Sequence, residues 1–144
     1  MSTHELSKEF KDSVIHGLSA FQLIEELLKS YIKYSFKLIR VNLDDSIPFS
    51  FDVQDYEKAA LGTLTKTFGK LTSNDNLRKT LNRVASQRDY IAHQALVRYI
   101  KDPKDQEHHD LHKSKIDEII LEAWQCLFEL KLEYEKLNNR IMKL

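Results

Sequence analysis

Arg88, Asp89 and His93 stand within six residues of one another, in the segment RDYIAH, and their types suit chemistry on a phosphodiester. An imidazole takes up or releases a proton near neutral pH, and a guanidinium offers a fixed cation whose planar fork fits phosphate oxygens. Together they are the minimum set for phosphodiester cleavage without a metal. Asp89 precedes His93 by four residues, the helical spacing at which side chains meet, so its carboxylate is placed to hold the ring in one tautomer. Tyr90, inside the same segment, is a candidate contact for a base or a ribose, and its neighbours do not choose between them. Such a cluster on a helix is also common as a solvated or internally paired polar edge, and spacing alone does not separate the two.

The element that must carry these residues reads as a helix capped by Ser73 or Asn74 and stopped near Ile100 by KDPKD, where Pro103 removes a backbone donor. At about 100° per residue, Leu77, Leu81, Val84, Ile91, Ala95 and Tyr99 share one apolar stripe. Arg88 falls in the middle of it. A charge there must be paired, must reach out along its stem, or must face a second subunit, because burying it alone costs several kcal/mol. Glu25 and Glu26 of the first helix are possible partners, although a Glu pair is more often a solvated face. His93 lies roughly 140° around the same wheel from Arg88.

Three further helices surround this one. Apolar residues at helical spacing (Phe10, Val14, Leu18, Phe21, Leu28, Ile32, Phe36, Ile39) predict one long helix over 6–40. The stretch VNLDDSIPFSFDVQD breaks the pattern at Pro48 and gives an unusually long loop. Asp55 is the expected cap of a shorter helix through YEKAALGTLTKTFGKL, with Leu61, Leu64 and Phe68 as its apolar strip and Gly69 near its end. The last helix is expected from about Asp110 to the C-terminus, through Ile116, Ile119, Ile120, Ala123, Leu127, Leu130, Tyr134, Leu137 and Ile141. Residues 1–144 therefore predict a single all-α domain, a four- to five-helix up-down bundle.

Composition agrees. Three glycines, two prolines and 31% charged residues favour long helices. Twenty-two basic residues balance twenty-two acidic ones, which argues against nonspecific, charge-driven attachment to nucleic acid. The segment 76–101 is nevertheless basic, with Arg78, Lys79, Arg83, Arg88, Arg98 and Lys101 against Asp89 alone, and is where an anion site is expected. No apolar run reaches the ~18 residues of a membrane span, and the N-terminus lacks the apolar core of a signal peptide. A soluble, cytoplasmic protein without membrane attachment is expected.

Competing sites are weaker. His108, His109, Asp110 and His112 form the run HHDLH, whose His108 and His112 share a face if the last helix starts early enough. No HExxH-like third ligand accompanies them, and a polar helix start is the favoured reading over a metal site. Trp124, Phe128 and Tyr134 read as packing rather than a base-stacking surface. Cys126, the only cysteine, has apolar neighbours, excludes an internal disulfide and is expected to be inert.

The segment LNRVASQRDYIAHQAL resembles the core of HEPN domains, whose signature is an Arg, four to six intervening residues and a His on a late helix. Arg88 and His93 match with four between them. AFQLIEELLKSYIKY is similar to the family's opening helix, and YEKAALGTLTKTFGKL to the Leu-Gly-x-Leu segment before the motif helix in some bacterial members. The resemblance covers most of the chain, and RDYIAH is its specific part.

It implies a homodimer in which two motif helices line one cleft, and metal-independent endoribonuclease activity of the toxin or phage-defence type, with an antitoxin as a possible partner. His93 would then act as base on the 2′-hydroxyl or acid to the leaving oxygen, and Arg88 would stabilise the phosphate charge, with no cofactor. Asp89 departs from the Asn often found after the motif Arg. The alternative is a noncatalytic dimeric module that binds a nucleotide or a protein.

Overall fold

The computed structural model describes residues 3–51, 54–97 and 106–143. Among these the secondary structure is entirely helical: α1 (Thr3–Asn42), the single turn α2 (Gln54–Glu57), α3 (Leu61–Leu71), α4 (Asp75–Asp89), a π-helical continuation (Tyr90–Val97), and α5 (Gln106–Met142). No described helix is long and apolar enough to cross a membrane.

One core joins the helices. Phe21, Ile24, Leu28 and Ile32 of α1 meet Leu64 and Phe68 of α3, Leu77, Leu81 and Val84 of α4, and Ile116, Ala123 and Leu130 of α5, all essentially without exposed surface. Each such side chain contributes roughly 1.5–3 kcal/mol on burial. Gly17 sets how closely α1 and α5 approach: a Cβ there would stand 2.7 Å from Ile120 Cγ1 and 3.6 Å from Ile91 Cδ1.

The bundle is not a strict up-down one. Gly17 lies beside Ile120 and the Tyr34 ring lies tilted 6.0 Å from that of Tyr134, so α1 and α5 run in the same sense. Arg88 reaches Glu25 while Ile91 lies by Gly17, so α4 runs against α1. Phe49 and Phe51 of the 43–51 stretch and Tyr56 of 54–60 gather their rings on Phe36 at 5.3–5.9 Å between centroids, so both stretches lie along the side of α1. A loop long enough to travel back frees α3 to start low and rise parallel to α1, which a tight turn forbids.

Two expected helix starts shift and a third holds. Asp55 does not cap α3; it sits in α2, and α3 starts after Ala60, whose extended backbone (φ −70°, ψ 157°) supplies no side-chain cap. Asn74 does cap α4: its Oδ1 accepts from the Leu77 amide at 3.0 Å while its Nδ2 donates to Glu133 of α5 at 3.0 Å. The α5 helix begins at Gln106, one turn before Asp110. The stop near Ile100 and the residues Arg98, Tyr99, Lys101 and Pro103 lie outside the described residues.

Candidate functional site

The end of α4 carries Arg88 and Asp89, and the π-helical continuation carries Tyr90 and His93. Leu77, Leu81, Val84 and Ile91 are buried as the wheel requires. Arg88, between Val84 and Ile91 on that stripe, comes out at the seam between α4 and α1. Its side chain is 43% exposed, and its Nη1 lies 3.9 Å from Glu25 Oε1. Pairing within the chain thus accounts for the charge on the apolar stripe, and a second subunit is not needed to explain it.

The α register ends one residue past Arg88. From Tyr90 the backbone bonds i to i+5, an under-wound helix found mostly as single turns and often at functional sites. The wider turn narrows the angle between residues five apart, so Arg88 and His93 lie nearer one face than an α-helical wheel allows. His93 is exposed. Asp89 is exposed as well, and the described hydrogen bonds and ion pairs include none between it and His93. Tyr90 packs partly against the core with Lys115 Nζ of α5 4.1 Å from its ring centroid, so one ring face is already taken by a cation.

Arg88 and Asp89 open onto a groove of about 390 Å³ between α3 and α4, lined also by Leu61, Gly62, Asn82 and Ser86. The start of α3 forms one wall. Its first turn has no side-chain cap, and the positive end of the helix dipole lies at this wall of the groove that Arg88 also lines. That convergence suits an anionic oxygen, whereas Asp89 opposes it. Sequence reading missed this wall because Asp55 had the type of a cap; the signal present was the absence of Ser, Thr, Asp or Asn directly before LGTL.

Two further described cations of the basic segment are paired. Arg78 Nε pairs with Asp75 at 3.4 Å and Arg83 Nε with Glu122 of α5 at 2.6 Å, leaving Arg88 with the longest contact of the three.

No family model, curated protein or solved structure matches the chain. The HEPN resemblance therefore rests on the quoted residues.

The remaining candidates divide. His108 and His112 fall four apart within α5, but their side chains, with those of His109 and Asp110, lie outside the described residues; among the described ones no group of three or more potential ligands gathers. Cys126 is buried, and desolvation with nearby Glu129 and Glu122 pushes its thiol up to about 12. Trp124 and Tyr134 are half-buried as packing residues, whereas Phe128 is 63% exposed and is not core.

Proposed function

We propose that this chain is a HEPN-type, metal-independent endoribonuclease of toxin or defence character, with Arg88 and His93 as its catalytic pair. One observation supports the reading above all: the half-exposed Arg88 and the uncapped first turn of α3 line the same groove. A phosphate there meets a cation and a helix N-terminus together.

In this mechanism His93 takes the proton of a 2′-hydroxyl, the oxygen attacks phosphorus, and the 5′-oxygen leaves as a 2′,3′-cyclic phosphate forms. Arg88 stabilises the charge gathering on the non-bridging oxygens. The leaving oxygen needs a proton of its own, which His93 of a second copy supplies if the motif helices pair in a homodimer. An antitoxin protein would restrain the activity by covering the same helix.

The test is cleavage of mixed RNA in excess EDTA by the wild type beside Arg88→Ala and His93→Ala. His93 is exposed, so its loss leaves the fold intact while the rate falls by about 10²–10⁴-fold. Equal cutting by all three proteins excludes this pair as the catalytic site.

Glu25 and Asp89 favour a second reading, a noncatalytic HEPN-like dimeric module that binds a nucleotide or a protein. Both carboxylates lie near Arg88 and weaken its hold on a reacting phosphate. Intact RNA with every protein, together with nucleotide binding lost in Arg88→Ala, is its expected signature.

A further inference from the structure

The groove between α3 and α4 holds opposite charges that do not pair with each other. Arg88 and Asp89 are consecutive on α4, so they point about 100° apart, and Arg88 turns toward Glu25. Two other side chains of the groove are already engaged. The Thr65 hydroxyl donates to the Gly62 carbonyl at 2.9 Å, and the Ser86 hydroxyl to that of Arg83 at 2.6 Å. Asn82 and Asp89 are exposed, and among the described residues neither side chain makes a hydrogen bond or an ion pair. They share one face of α4, close to two turns and roughly 10 Å apart along its axis. On the α3 side the groove is open at Gly62, where a Cβ would meet nothing within 4 Å.

We propose that Asn82 and Asp89 read the base of a guanine nucleotide whose phosphate sits at Arg88. This rests on the RNA reading above and adds which nucleotide the groove takes. An ionised carboxylate only accepts, and its two oxygens match two adjacent N–H donors. Among the four RNA bases guanine alone offers such a pair on its Watson–Crick edge, from N1 and the 2-amino group. Adenine and cytosine set an acceptor beside their amino group, and uracil flanks its one N–H with two carbonyls.

The guanine O6, at the other end of the same edge, accepts from the Asn82 amide. One purine edge with a hydrogen bond at each end fills the span between the two side chains, and the open wall at Gly62 gives the ring its space. Asp89 counts against a bare phosphate, but its charge serves a ligand that brings donors along with its anion.

Calorimetric titration of 5′-GMP, 5′-IMP, 5′-AMP and inorganic phosphate into the wild type and Asp89→Asn tests this. The wild type is expected to bind GMP roughly 10–100-fold more tightly than AMP, with IMP, which lacks the 2-amino group, between them. Asp89→Asn, at an exposed position, is expected to bring GMP to the level of AMP and leave phosphate binding no weaker, at unchanged helicity by circular dichroism. Equal binding of GMP and AMP by the wild type, or a GMP preference that survives in Asp89→Asn, overturns the proposal while the anion site at Arg88 stands. Failure of phosphate and of every nucleotide to bind removes the anion site and the base site together.

Discussion

At Cys126 a single residue turns burial into a pH dependence. The thiol is neutral in both folded and unfolded chains below the ordinary value of 9.0, and its contribution to stability is intact there. Between 9.0 and about 12 the unfolded chain releases a proton that the folded chain keeps, so stability falls as pH rises through that window. Cys126→Ala should flatten this alkaline limb in denaturant titrations, and the wild-type thiol should resist alkylation at pH 8 until the protein is unfolded. Arg88 is the contrasting case. Its place on the apolar stripe was legible in the sequence, but its partner was not: Glu25 and Glu26 are alike in type, and only the packing of α4 on α1 brings Glu25 to 3.9 Å while Glu26 pairs with Lys29 on the same helix.

Helix ends decide how the elements work. Asn74 bridges two jobs, capping α4 and tying its start to Glu133, whereas Ala60 leaves the start of α3 open. Ala60→Ser should therefore stabilise the protein by roughly 0.5–2 kcal/mol in chemical denaturation. The same hydroxyl would accept from a first-turn amide of α3 beside the groove that Arg88 lines, so weaker binding of inorganic phosphate should accompany the gain. A stabilised variant with undiminished phosphate binding would remove α3 from the anion site. The switch from α to π bonding at Tyr90 belongs to this scale too. Periodicity at 100° per residue carries through to Ile91, which remains buried beside Gly17, and so hides the change of winding from any wheel drawn on the sequence.

Over the whole molecule, the course of the 43–51 and 54–60 stretches along α1 sets the direction of everything after them. Phe36 holds both through three ring contacts. Phe36→Ala should cost on the order of 2 kcal/mol in thermal or denaturant unfolding. It should also open the 43–60 stretch to limited proteolysis while α4 and α5 stay protected. Simultaneous digestion of all elements would show that the loop is not a separable unit. The exposed apolar groove between α1 and α5 is likewise a property of the assembled bundle, since it takes Leu23 and Leu27 from one helix and Phe128 from the other.

The long helices, their apolar faces and a helix start at Ser73 or Asn74 were determined by the sequence, because amphipathic spacing and cap chemistry act over a few neighbouring residues; the structure chose Asn74. Phe128 shows the limit of that locality: its type and spacing read as core, yet no helix covers it. Helix direction, the Arg88–Glu25 pair and the groove formed with α3 were decided only by the tertiary structure. Each joins residues far apart in the chain, and which of several chemically equivalent partners meet depends on how the core fills.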